Sequence, residues 1–296
     1  MRSPRDVRKS RNALIGRAIR LNRRWPDLPR RVRVHIVTVG ASLLTNALRD
    51  DQNVKQLLPN ASSVRDVENA LRDGRPTRRE LVEALLSYVS RKGNAACAEL
   101  TSMSEHIDRR LVDLVYLLHT DTEVGEVCGT VLERHLNRSG IRAERRRIEG
   151  FRNEEEFRER GLQNLLLVTH ELIKKHREDA VLVNATGGYK PEGTALSILA
   201  FVMGKPVYYR HEDFRTTVFI PPLPIDWRED VLDRVYRSAL MDLSRGSMDA
   251  SEFERRYGKE VAERMLEDLM LIRERDGKYE MTEFGRVIYW VAFSDP

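Results

Sequence analysis

Residues 180–204 join AVLVN to PEGTALSILAFVMG through a turn that contains two adjacent glycines. A run of that length with apolar side chains at successive positions reads as a strand covered on both faces, and the run after it has helical length. The same unit recurs along the chain. RVRVHIVTVG (31–40) is a strand ending in Gly40 and feeds ASLLTNALRD, a helix with Ser42 near its N-cap. LVDLVYLLH (111–119) leads through TDTEVG into the helix EVCGTVLERHLNRSG. A short strand in IRAERRRIEG precedes a helix from about Asn153 to Lys175, and KPVYYRH and TTVFIPP supply two more strands. Strands alternating with helices through short loops predict an α/β fold built on a doubly wound, mostly parallel sheet, with its ligand beyond the carboxyl ends of the strands.

At 296 residues the chain fits two domains. The charged span 51–110, with stretches such as RRELVEALLSYVSRKG, reads as an insertion or a set of lateral helices. PPLPIDW (221–227) reads as a stiff linker. Beyond it lie a helix (228–244), a shorter one near DASEFERRYG, another in KEVAERMLEDLMLIRERDG, then a short strand and TEFGR, a succession that suggests a winged helix-turn-helix. The expected division is therefore 1–31, 32–226 and 227–296.

Residues 1–33 hold 12 Lys and Arg against 2 Asp and Glu, so the chain's net charge of +5 arises from this segment alone. The segment reads as a solvated leader or an extended start; an RNA- or partner-binding arm is the alternative, and a transit peptide shares its composition. Cys97 and Cys128 show neither pairing nor ligand spacing, which suits a reducing cytoplasm. The longest nearly uncharged apolar stretch, 195–204, is too short to span a bilayer.

The common signatures of zinc proteases, P-loop enzymes and nucleophile-elbow hydrolases are missing, as are clusters of Cys and His, and no cofactor is called for. An Arg-x-x-x-x-His spacing occurs at Arg30 and His35, but His35 falls inside the first expected strand. The strand-end loops hold the candidate chemistry. In GASLLTN, Gly40 permits a close turn, Ala41, Ser42, Leu43 and Leu44 open a helix whose amides suit an anion, and Asn46 follows. HTDTEVG offers Thr120, Asp121 and Thr122, which equally serve as caps. NATGGYKPEG offers Asn184, Thr186, Gly187 and Gly188, then Tyr189 to stack on a base and Lys190 as a cation, with Pro191 suited to a first helical turn. Together the three loops are expected to form a basic, base-stacking cleft without a metal.

VTVGASLLTN, LVYLLHTDTEVGEVCGTVL, VLVNATGGYKPEGTALSILAF and KPVYYRHEDF…VFIPPLPI, in this order over residues 32–226, resemble the CRISPR-associated Rossmann fold (CARF) proteins of type III systems. The GGYKP segment is the most specific part. The resemblance implies a Rossmann-like homodimer whose two sheets form one cleft for a cyclic oligoadenylate, most often cyclic tetra-adenylate. With a winged helix in place of a nuclease domain, the chain is most similar to stand-alone ring nucleases, which cut the messenger and switch off signalling, and also to CARF transcription regulators. The ring-nuclease resemblance assigns Ser42 to orienting the ribose or phosphate and Lys190 to stabilising charge during attack by a ribose 2′-hydroxyl. No metal would be required, and linear di-adenylate would result. Residues 227–296 carry 12 basic against 16 acidic side chains, a poor composition for holding DNA.

Overall fold

The computed structural model describes residues 32–210, 216–220 and 234–293. The basic segment 1–31 and the proline-rich stretch 221–227 lie outside the described residues. The chain divides into two compact units between residues 225 and 226.

In β1 (Arg33–Val39) the side chains alternate between two cores: Val34 and Ile36 enter one, Val37 and Val39 the other. The same parity holds in β2 (Leu114–Thr120), where Leu114, Tyr116 and Leu118 oppose Val115 and Leu117, and in β4 (Ala180–Asn184), where Val181 and Val183 oppose Leu182. Strands buried on both faces need no polar alternation, which is why these segments read as unbroken apolar runs. With β3 (Arg142–Ile148), β5 (Val207–Tyr209) and β6 (Val218–Ile220) they form a six-stranded sheet of order β3-β2-β1-β4-β5-β6. All neighbours are parallel except the last pair, β5 with β6.

One core is closed by α1 (Ser42–Asp50), α2 (Gln52–Leu57), α3 (Val64–Arg72), α4 (Arg78–Lys92), α5 (Ala98–Asp108) and α6 (Glu123–Arg138), through residues such as Leu43, Leu81, Leu100 and Val131. The charged span between β1 and β2 is thus a helical layer over the sheet: its apolar positions are buried while its charges face water, apart from the buried Asp51 and Glu99. The other core is closed by α7 (Leu162–Lys175) and α8 (Lys190–Val202), through Leu165, Ile173 and Leu196. The helix expected from Asn153 is interrupted, entering α7 through a π-turn at Phe157–Gly161. At the edge, β3 carries Arg142, Arg145, Arg146 and Arg147, paired with Glu126, Glu133 and Glu144.

The C-terminal unit contains α9 (Arg234–Leu243), β7 (Met248–Asp249), α10 (Ala250–Tyr257), α11 (Lys259–Glu263), β8 (Ile272–Arg275), β9 (Lys278–Met281) and α12 (Glu283–Ile288). Its antiparallel sheet has order β7-β9-β8, and Tyr236, Leu240, Phe253, Met265 and Ile272 fill its core. The sequence LIRERDG, expected at the end of a helix, instead makes β8 and a tight turn. Asp276 and Gly277 have φ of 52° and 71°, the pair of positive angles that a two-residue hairpin of this type demands. No helix among the described residues is long and apolar enough to cross a membrane.

His35 is a core residue. Its Nδ1 lies 2.8 Å from the Tyr208 hydroxyl and its Nε2 3.2 Å from the Leu111 carbonyl, and the His106 ring packs against it at 5.1 Å. Burial lowers the pKa of His35 to about 3 and that of His106 to about 4. Both stay neutral in the folded chain but charge near 6.5 once unfolded, so their contribution is complete above pH 6.5 and is lost as pH falls towards 4 and then 3. The urea midpoint is expected to drop between pH 7 and pH 5, and His35→Gln to flatten that slope. A slope that the substitution leaves unchanged would contradict this role.

Candidate functional site

The chain leaves β1 towards β2 and β3 on one side and returns at β4 on the other. Loops that follow β1 and β4 therefore diverge above neighbouring strands and leave a crevice between them, the position where open α/β sheets hold ligands. Here the loops almost touch. A Cβ on Gly40 would stand 2.6 Å from the Gly188 amide nitrogen, so no larger residue fits without moving the backbone. Gly188 has φ of 85°, and the Gly187 carbonyl accepts a 2.6 Å hydrogen bond from Thr38 Oγ1.

Glu99, on α5, joins the first loop to the helical layer. It is fully buried; Oε1 accepts the Gly40 N–H at 2.7 Å and Oε2 accepts the Ser42 hydroxyl at 3.0 Å. Ser42 in turn accepts the Ala98 N–H at 3.0 Å. Ser42 is thus not the cap expected from sequence: Ala41 holds the N-cap position, and the serine hydroxyl is committed to α5.

A cavity of about 270 Å³ occupies the crevice. Of the anticipated residues, Gly40, Ala41, Ser42, Thr120, Thr122, Gly188 and Tyr189 line it. Thr122 also caps α6, accepting the Gly125 N–H at 3.0 Å. Tyr189 is 65% exposed, leaving much of its ring available for stacking. The remaining anticipated residues stand outside the lining. Leu43 and Leu44 are in the core, Asn46 donates to the Ala96 carbonyl at 3.1 Å, and Asn184 donates to Ser102 Oγ at 2.7 Å. Thr186 accepts the Arg210 N–H at 3.1 Å, and Gly187 is packed beneath the turn. Lys190 is exposed as the first residue of α8. Asp121 holds the chain after β3, accepting from Phe151 N–H at 2.9 Å and pairing with Arg152 at 3.2 Å.

The expected basic cleft is not what these residues make. No lysine or arginine lines the cavity among the described residues, whereas Glu192 does. Arg72, Arg78, Arg147 and Arg152 gather instead in a neighbouring polar hollow with Glu68, Asp121, Glu123 and Glu126. Carboxylates also attend the helix starts around the crevice. Glu68 accepts the Glu123 and Val124 amides at 2.9 and 3.0 Å, and Glu192 accepts the Tyr189 amide at 3.2 Å. A helix N-terminus favours negative charge, and at the start of α6 the protein's own Glu68 stands in that place. Burial pushes the Glu192 carboxyl up to about 7, against an opposing hydrogen bond from the Tyr189 amide. Sequence reasoning gave roles to neither Glu99 nor Glu192. The signal for Glu192 was its place three residues after Tyr189, where a side chain can reach back to the N-cap amide; nothing local marks Glu99. Both cysteines are buried thiols with raised pKa values, Cys128 to about 12, chiefly through burial.

Fold and crevice together define a class: a doubly wound α/β protein with a crevice at the switch point of its sheet. Residues 94–223 match the model of a CRISPR-associated protein family, Cas_APE2256. Over these residues the chain is similar to that family of CRISPR-associated proteins. Similar solved structures include protein VC1899 from Vibrio cholerae, at 11% identity and TM-score 0.34 over 86% of this chain and 64% of that one. Another is Can2 from Sulfobacillus thermosulfidooxidans in complex with cyclic tetra-adenylate, at 10% identity and TM-score 0.31 over 87% of this chain. The chain spans 64% and 63% of the lengths of these two structures.

Gly40→Ala is expected to cost roughly 1–3 kcal/mol by forcing the two loops apart. Glu99→Ala, which strands the Gly40 amide and the Ser42 hydroxyl, should cost about as much. Urea denaturation reads both, and near-neutral effects would mean that the loops are not held as described.

Proposed function

We propose that the switch-point crevice binds a cyclic oligoadenylate, with cyclic tetra-adenylate as the first candidate. The observation that carries this reading is the meeting of the Gly40–Ser42 and Gly187–Tyr189 loops over β1 and β4 in a chain similar over residues 94–223 to a CRISPR-associated family. Glycines let a phosphodiester approach the backbone, and the exposed Tyr189 ring offers a face to adenine. A single cavity of about 270 Å³ holds only part of such a ring, which supports a homodimer with two crevices facing each other across a two-fold axis.

Ring opening is the stricter part of the proposal. A ribose 2′-oxygen forms a bond to the adjacent phosphorus while the bond to the 5′-oxygen breaks; the 2′-hydroxyl gives up its proton and the 5′-oxygen gains one. The products would be a 2′,3′-cyclic phosphate and a free 5′-hydroxyl. The protein would contribute mainly alignment and charge stabilisation, neither of which needs a metal. A ring that fills the cavity and passes over Tyr189 brings a phosphodiester to Lys190, whose ammonium would offset the charge gathering at phosphorus. Two such centres in a dimer would release linear di-adenylate and end the signal.

One feature favours a second reading, a sensor or regulator that binds without cutting. The Ser42 hydroxyl already donates to Glu99 and accepts from Ala98, so it has no proton to offer a phosphate. The C-terminal helices and three-stranded sheet support a winged-helix reading, yet the net charge of −4 over 227–296 argues for contact or covering more than for holding DNA.

Incubating the purified protein with cyclic tetra-adenylate in EDTA separates the readings. Linear product supports the ring nuclease, and Lys190→Ala should then slow turnover by about 100-fold or more while ligand still raises the melting temperature. Binding with an intact ring supports the sensor. Absence of binding to cyclic tri-, tetra- and hexa-adenylate would end both.

A further inference from the structure

Glu192 is an acid built into the crevice wall without the partner that an ionised carboxylate needs. It lines the cavity yet is only 3% exposed. Its Oε2 accepts the Tyr189 amide at 3.2 Å, and its Oε1 is buried with no hydrogen-bond partner. The side chain lies against Gly188, where an added Cβ would collide with Oε2, so the glycine is what admits the carboxyl beneath the turn.

Among the described residues, the groups packed around it include no buried counter-ion. From β1 and its loop come Thr38, Gly40 and Ser42, all uncharged. From α5 comes Glu99, another acid, on the far side of Gly187. Across the cavity stand the hydroxyls of Thr120 and Thr122, while Glu123 and Glu126 of the same helix are paired with Arg78 and Arg145. On its own helix the neighbours are the Tyr189 ring and Lys190, both exposed. A carboxyl buried in such company holds its proton more tightly than one in water, and the proton-bearing oxygen becomes a donor.

We propose that Glu192 serves the crevice as a neutral carboxylic acid that donates a hydrogen bond to an anionic phosphodiester oxygen, so that ligand binding takes up a proton. This rests on the reading that the crevice receives a nucleotide anion. Ionised, the same group would set a negative charge against the ligand; neutral, it gives its unpaired oxygen a use. The burial that raises its pKa to about 7 places the change within the working range of pH. Affinity should be highest below that value and fall by up to tenfold per pH unit above it.

Isothermal titration of cyclic tetra-adenylate from pH 6.0 to 8.5, in buffers of differing ionisation enthalpy, tests the proposal on the wild-type protein and on Glu192→Gln. The amide keeps a donor and cannot ionise. Wild type is expected to lose about tenfold or more in affinity over this range and to take up a proton on binding at the upper end. Glu192→Gln should match it within roughly threefold at pH 6.0, bind with little pH dependence, and show no linked proton. A wild type without pH dependence or proton uptake, or a variant that keeps both, would overturn the role. Carboxyl carbon NMR of the ligand-free wild type gives a reading independent of the nucleotide. A Glu192 midpoint near 7 is expected, and one near 4.5 would overturn the proposal. If neither protein binds at any pH, the cyclic-nucleotide reading fails, and the NMR midpoint still decides whether the acid carries its proton.

Discussion

Everything at the carboxyl end of this sheet depends on one buried carboxylate. Glu99 sits in the helical layer, yet both of its oxygens serve the loop that follows β1, one on the Gly40 amide and one on the Ser42 hydroxyl. Hydrogen bonds in a low-dielectric interior are stronger than the same bonds in water, and the same setting makes an unfilled partner costly. The clamp is also what allows the close approach of Gly40 to Gly188. Two strand-end loops that would otherwise be separate become a single wall.

Much of the fold was legible because it depends on short-range patterning. Apolar runs of strand length followed by helical periodicity located β1, β2 and β4, the other three strands fell in IRAERRRIEG, KPVYYRH and TTVFIPP as expected, and the glycines at 40, 187 and 188 marked where the backbone had to turn or approach closely. The site was legible only as loops. Glu99 lies 59 residues from the amide that it holds, inside a stretch whose local pattern says amphipathic helix and nothing more. The cavity's charge was misread for a related reason: Lys190 and the arginines are conspicuous in sequence, but which charges face a cavity is decided by neighbours from distant elements. The LIRERDG segment shows a local rule outweighing a regional one, since the Asp-Gly turn ended a helical pattern and made a hairpin.

As a site for the proposed nucleotide anion, the resulting crevice is uncommon. Glu68 and Glu192 have taken amides at the starts of α6 and α8, and Glu99 holds the amide just ahead of α1. A phosphate arriving here meets neutral hydroxyls, an exposed tyrosine, whatever backbone amides are left and a lysine at the margin, rather than a field of positive charge. Recognition on such terms rests on shape and stacking. It suits a ligand whose bases are held in fixed positions by a covalent ring, because a preordered ligand loses less freedom on binding.

The margin of the sheet has a consequence of its own. Strand β3 is an edge strand, the kind that invites a neighbouring chain, but its own molecule covers part of the outer backbone row: Asn137 bonds the Ala143 N–H and C=O, and Glu133 accepts the Arg145 N–H. Four of its seven residues are arginines, each balanced by glutamates of its own molecule. A second copy laid along this edge would bring arginines close to arginines and contend with ion pairs already made. The sheet is thereby capped against lengthening, and any pairing of two copies is directed away from this border.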